Sequence, residues 1–292
     1  MLLALLKLLR PHQYLKNGFV FVGVLFSLQW DRATLLDATL AFLAFCAAAS
    51  AVYVLNDIMD VEADRAHPVK CRRPIADGSI SIPLAFRVMA LLGVLALLLA
   101  WMAGPWVPVI VASYFVINLL YSWRLKHVVI LDVFSIASGF MLRILAGTIG
   151  IGIEPSEWLL LCGLMITLFL GFAKRRSELY LLPVKQNSTR QVLDDYSPAL
   201  LDSFIAISAG ATILGYGLYT VSEQAVRTHG NADLIYTLPF VIYGIFRYLY
   251  LLHHQGQGGD PSRDLLTDPH LLVTLAGWLL TTILMLSWAS PA

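Results

Sequence analysis

Apolar residues run along this chain in long stretches separated by short polar segments, and the stretches are too long for strands. A spanning helix needs roughly 20 mostly apolar residues, and about nine stretches meet or approach that length: 13–30, 35–55, 82–103, 105–122, 129–151, 158–173, 200–221, 234–252 and 271–289. The first and sixth are marginal in length. The pattern predicts an all-α, polytopic membrane protein, with residues 1–292 forming a single integral membrane domain and nothing left for a soluble one. Composition supports this, since 58% hydrophobic and 13% charged residues at a mean hydropathy of +0.73 exclude an ordinary soluble domain. Residues 1–10 begin like a signal peptide, but Lys7 and Arg10 interrupt the apolar run and no small-residue cleavage pattern follows. They are expected to form an amphipathic helix lying in the membrane interface.

Placement of charge then sets orientation. With nine spans, Lys and Arg gather at the N-terminus and in alternate loops, while Arg32 and Arg227 fall on the opposite side. The positive-inside rule puts the N-terminus and the charged loops in the cytoplasm, the C-terminus outside, and the chain in the plasma (inner) membrane. Two cytoplasmic loops carry most of the charge, 56–81 and 174–199. A third segment, 253–270, places Asp260, Asp264 and Asp268 at a spacing of four, but Asp268 before Pro269 reads as a helix cap. Cys46, Cys71 and Cys162 show no metal-ligand spacing and read as packing residues and a loop thiol.

Loop 56–81 opens with an unusual run, VLNDIMDVEADRAHP, which holds four carboxylates in eight residues: Asp57, Asp60, Glu62 and Asp64. If the second helix continues through it, Asp57, Asp60 and Asp64 share one face, with Asn56 one turn before Asp60. Like charges near a helix C-terminus repel each other and oppose the macrodipole. A divalent cation removes both penalties, and Mg²⁺ accepts one or two carboxylates while keeping substrate phosphate oxygens as ligands. Lys70, Arg72 and Arg73 follow closely, so the segment offers carboxylates for a metal beside cations for phosphate. A solvated loop edge, or basic residues serving lipid headgroups, is the plainer alternative.

NDIMDVEAD (56–64) resembles the NDxxDxxxD motif of the UbiA-type prenyltransferase superfamily, which implies a nine-helix bundle binding Mg²⁺ and diphosphate at its cytoplasmic side. The second DxxxD motif of that superfamily is missing; the corresponding segment reads GFAKRRSELYLL, with Lys174, Arg175 and Arg176 before Glu178. RPHQYLKN (10–17), the whole of 50–78, YSWRLKHVVILDV (121–133), MLRILAG (141–147), AKRRSEL (173–179) and GYGLY (215–219) resemble the decaprenyl-phosphate phosphoribosyltransferase branch. The resemblance implies Mg²⁺-dependent transfer of 5-phosphoribose from phosphoribosyl diphosphate (PRPP) to a polyprenyl phosphate, releasing diphosphate, toward lipid-linked arabinose. Asp57, Asp60 and Asp64 are then the catalytic metal ligands.

The remaining polar residues suit two anionic substrates. The attacking lipid phosphate is already an anion and needs no general base, and His12, His67 and His127 are assigned no catalytic part. Asp132 and Arg143 lie eleven residues apart within one apolar run, on one face of a helix, where ionisable groups mark function or an ion pair that fixes packing. Tyr121 and Lys126 are placed for sugar phosphate, with snorkelling to lipid heads as the alternative for Lys126. Lys174 and Glu178 stand four residues apart, so Glu178 is expected to orient Lys174. Lys16 and Asn17 are candidates from the first helix, and Arg175 from the second basic cluster. Expected partners are PRPP, polyprenyl phosphate and the lipid bilayer, with no nucleic acid and a homo-oligomer left open. A UbiA-type enzyme moving a prenyl group from prenyl diphosphate to an aromatic acceptor is the competing reading, and a non-enzymatic lipid or anion carrier a third.

Overall fold

The computed structural model describes residues 2–181, 191–229, 232–254 and 261–288, and no strand occurs among them. Residues 182–190 of the second charged loop, and Asp260, lie outside that set. Thirteen α-helices follow one another: α1 (Leu2–Leu9), α2 (Phe21–Ser27), α3 (Arg32–Met59), α4 (Val61–Ala66), α5 (Ile82–Ala103), α6 (Val107–Trp123), α7 (Leu131–Ala146), α8 (Glu157–Leu181), α9 (Pro198–Thr220), α10 (Glu223–His229), α11 (Leu238–His254), α12 (Pro261–Thr267) and α13 (Pro269–Trp288). Among the described residues, seven helical stretches are long and apolar enough to cross a membrane, and α6 is a shorter apolar helix of 17 residues. Leu91, Leu98, Trp101, Ile207, Leu214, Val273 and Leu280 are exposed, as outward faces in lipid require.

The chain gathers into two compact units. The first contains Met1–Val24, Gln29–Trp123 and Leu142–Glu154. Its centre is the packing of α3 on α5, and the sequence shows why the two approach so closely. Ala41, Ala44 and Ala48 on α3, and Ala96, Ala100 and Ala103 on α5, recur every three or four residues and are all buried in one core with Phe45, Val107 and Val111. Small residues at that spacing let helix backbones come together where lipid leaves little hydrophobic driving force. Asp31 caps α3, its carboxylate accepting from the N–H groups of Ala33 and Thr34 at 2.9 and 3.1 Å.

The stretch expected as the first span does not form one long helix. Residues Pro11–Val20 are 3₁₀ and α2 covers only Phe21–Ser27. Gly18 and Gly23 give the stretch little helical preference, and tertiary packing fixes its path: a Cβ on Gly147 would sit 1.7 Å from the carbonyl oxygen of Val20. Only a residue without a side chain permits that backbone contact.

The second unit contains Leu25–Leu28, Arg124–Met141 and Pro155–Ala292. Here α8 packs on α9, and α11 on α9 and α13. Val133, Ala137, Leu168, Phe169, Phe172, Ala173, Leu201 and Ile205 form its main core. Asp268 caps α13 as expected, accepting the Leu271 N–H at 2.9 Å, and also receives Arg247 through Nη2 at 2.7 Å. The hydrogen bond from Arg247 holds its carboxyl below the usual carboxylate range.

Candidate active site

The quoted acidic run is not a continuous helix. α3 ends at Met59, and Asp60 takes a non-helical backbone (φ −95°, ψ 9°) before α4 begins at Val61. Backbone hydrogen bonds from Asp60 N–H to Asn56 and from Asp64 N–H to Asp60 carry the chain across the break at 2.9 and 2.8 Å. Two of the three aspartates come together. Asp57 and Asp64 are buried, and Arg73 Nη1 donates to Asp57 Oδ1 at 3.0 Å and to Asp64 Oδ2 at 2.6 Å. Arg10 Nη2 reaches the same Asp57 oxygen at 2.5 Å. Asp60 stands half-buried at the break itself.

Around this pair the unit supplies other predicted residues. Asn56 Oδ1 accepts from Ser122 Oγ on α6 at 2.7 Å, which fixes the last turn of α3. Asn17 and Arg143, far apart in sequence, meet in the interior: Arg143 Nε donates to Asn17 Oδ1 at 2.7 Å, and Asn17 Nδ2 donates to Cys46 Sγ at 3.2 Å. The Arg143 guanidinium lies 5.2 and 4.9 Å from the ring centres of Phe45 and Tyr114, an aromatic seat for a cation removed from water. Lys16 donates to Gln13. Lys70 is half-buried and Arg72 exposed in a 3₁₀ turn, Lys70–Arg72. His67 fixes that turn, its Nδ1 accepting from the Val69 and Lys70 N–H groups at 3.1 and 3.3 Å.

The second unit holds a different cluster. α8 continues to Leu181, so Lys174, Arg175 and Glu178 sit on helix where a loop was expected. Arg175 is wholly buried; its Nε donates to Asp132 Oδ2 and its Nη1 to Glu178 Oε2, each at 2.5 Å. Tyr196 closes the network. Its hydroxyl donates to Asp132 Oδ1 at 2.8 Å and accepts from the Ile130 N–H at 2.7 Å, and burial raises its pKa far above the usual tyrosine value, so it stays a donor. Ile130 has φ 70°, an uncommon backbone for a β-branched residue, and Tyr196 occupies its N–H. Glu178, at 26% exposure, is the accessible end of the Tyr196–Asp132–Arg175–Glu178 chain. Glu178 pairs with Arg175, three residues before it in the helix. Asp132 and Arg143, expected to share a face of one helix, engage separate networks. Tyr121, Lys126 and Lys174 are half-buried.

Arg10, Tyr114 and Tyr196 were missed by sequence reasoning. Arg10 precedes a proline near an apolar N-terminus and looks like a topology charge. Tyr196 lies past 182–190, with no spacing that ties it to Asp132.

Among the described residues no three His, Cys, Asp or Glu side chains gather closely enough to hold an ion by themselves. The donor set nevertheless suits a hard divalent cation: two buried carboxylates joined through one guanidinium, in number what Mg²⁺ takes when phosphate and water complete its shell.

Residues 18–263 match the UbiA prenyltransferase family, and the chain belongs to that family of membrane-bound transferases. Its relatives include the decaprenyl-phosphate phosphoribosyltransferase of Mycolicibacterium smegmatis, 33% identical over 94% of this chain and 90% of that protein. The protein of the same name from Mycobacterium tuberculosis is 34% identical over 94% of this chain and 91% of its own length. In fold, the chain is similar to a UbiA homolog from Archaeoglobus fulgidus bound to GPP and Mg²⁺, with a TM-score of 0.71 and 17% identity, covering 97% of this chain and 99% of that one.

Proposed function

We propose that this protein transfers 5-phosphoribose from PRPP to a polyprenyl phosphate. The observation that carries the reading is the buried Asp57–Arg73–Asp64 arrangement, in a chain one third identical over nearly its whole length to relatives named for that reaction. The bond from C1 of the ribose to diphosphate breaks, and a bond from C1 to an oxygen of the lipid phosphate forms. No proton need move, because the nucleophile is already an anion. Asp57 and Asp64, with Asp60 beside them, would hold Mg²⁺, which when bound gathers charge from the leaving diphosphate. Lys70, Arg72 and Arg73 bring cations to the phosphates, and Lys126 and Lys174 are candidate phosphate-binding cations of the second unit. Asn56 braces the end of α3. Asn17 and Arg143 are too deeply buried to meet a substrate without movement and serve to hold the first unit's interior. Arg175 supports Glu178, whose carboxylate suits ribose hydroxyls.

The N-terminus and charged segments lie on the cytoplasmic side in this reading, with α1 in the membrane interface. The test is a membrane assay with labelled PRPP, decaprenyl phosphate and Mg²⁺. Chelator-sensitive passage of label into the organic phase is expected. The family membership favours one competitor, prenyl transfer to an aromatic acceptor, and consumption of prenyl diphosphate without any transfer from PRPP would establish that reading instead.

A further inference from the structure

The first cluster is electrically complete without a metal. Asp57 and Asp64 supply two acids, and Arg10 and Arg73 two positive charges, Arg73 touching both acids and Arg10 touching Asp57. A divalent cation entering there adds charge beside two guanidiniums that already donate to Asp57 Oδ1, and at a few ångströms like charges repel. The crowding is relieved if one arginine yields. Arg73 bridges both acids, and so keeps them together; Arg10 touches Asp57 alone and is 22% exposed. The N-terminal segment does not depend on the Asp57 contact for its position. Ser50 Oγ donates to the Leu9 carbonyl at 2.9 Å, Tyr14 and Ser50 hydroxyls are 2.9 Å apart, and the Arg10 guanidinium lies 4.9 Å from the Tyr53 ring centre.

We propose that Arg10 is an exchangeable counterion: it neutralises Asp57 in the absence of metal, and turns to the phosphate oxygens of a diphosphate when a divalent cation takes its place on that carboxylate. The inference rests on the metal–diphosphate reading above. Metal and diphosphate then bind with positive coupling, since the cation displaced by one becomes a ligand for the other, and the coupling is reciprocal.

The experiment uses the full chain in lipid nanodiscs. Mn²⁺ alone is titrated, with free ion read by electron paramagnetic resonance, and labelled inorganic diphosphate is titrated separately at fixed free Mg²⁺. Arg10→Ala should bind Mn²⁺ alone several-fold to about tenfold more tightly, because a competitor is gone, and diphosphate about tenfold more weakly, because a charge-assisted donor is gone. Arg10→Gln should move both affinities in the same opposed directions and guards against a folding defect in the alanine variant. Ser50→Ala loosens the same segment without touching Asp57 and should leave both affinities unchanged. Unchanged or weaker Mn²⁺ binding in both Arg10 variants, or diphosphate binding equal to wild type, would overturn the proposal while leaving the function intact. A wild-type protein that binds no diphosphate at any Mg²⁺ concentration would overturn the functional reading itself.

Discussion

Each unit carries an acid–guanidinium cluster built on buried acids, and the two are built to opposite ends. Around Asp57 and Asp64 the acids are buried but their arginines are 22% and 28% exposed, and one carboxylate oxygen receives both. Around Asp132 the arginine and the acid are both fully buried, and a tyrosine hydroxyl takes the remaining carboxylate oxygen. Water reaches the cations of the first cluster, so its ion pairs can exchange. Those of the second have nowhere to go, because separating a buried pair leaves an uncompensated charge. Similar residue types thus give partly exposed ion pairs in one unit and an enclosed support in the other.

That contrast can be broken most severely at Asp57. Asp57→Asn should lower phosphoribosyl transfer by about 10²–10³-fold, the scale of losing a principal electrostatic group, while thermal unfolding in detergent stays near wild type; full turnover in this variant would remove Asp57 from the metal site. Asp132→Ala should do the reverse. Taking that carboxylate from the buried Arg175 guanidinium is expected to cost about 3–5 kcal/mol of stability, read as a lowered unfolding midpoint. Replacing the pair with Asp132→Leu and Arg175→Met should recover most of that loss, and a double variant no more stable than the single would mean that Arg175 does more than hold position. Tyr196→Phe keeps the ring and strands the Ile130 N–H and one Asp132 oxygen, so a loss of about 1–3 kcal/mol is expected.

The smallest effect serves as a yardstick outside both clusters. Asp268→Ala removes a cap and the partner of Arg247 and should cost about 1 kcal/mol. Its pH dependence has a definite sign. Arg247 lowers the folded-state pKa of Asp268, so the contribution is complete above the ordinary carboxylate pKa of about 4 and fades as acidification passes through the folded value. Unfolding midpoints of wild type and Asp268→Ala should therefore converge at low pH.

Much of this was legible from the chain alone. Long apolar runs located the principal helices, and the acidic motif at 56–64 located the first cluster. What escaped notice depends on contacts distant in sequence. The break at Asp60 leaves no trace in hydropathy, and it brings Asp57 and Asp64 to Arg73 in place of a row of three acids. The basic run at 174–176 ends an apolar stretch and so reads as a loop, yet Lys, Arg, Glu and Leu are all good helix formers and α8 simply continues. Gly147 has no side-chain chemistry to notice, although the path of residues 11–27 depends on it.

That continuation of α8 has a consequence for the charges at its end. Residues 174–181 add about 12 Å of helix beyond the apolar stretch that ends near 173, more than the roughly 5–8 Å of one headgroup layer. Lys174 and Glu178 are therefore carried past the apolar stretch on regular helix, whose geometry fixes their rise along its axis. The charged end of α8 is a rigid extension of the span, and the charges on it cannot move independently of the apolar residues that precede them.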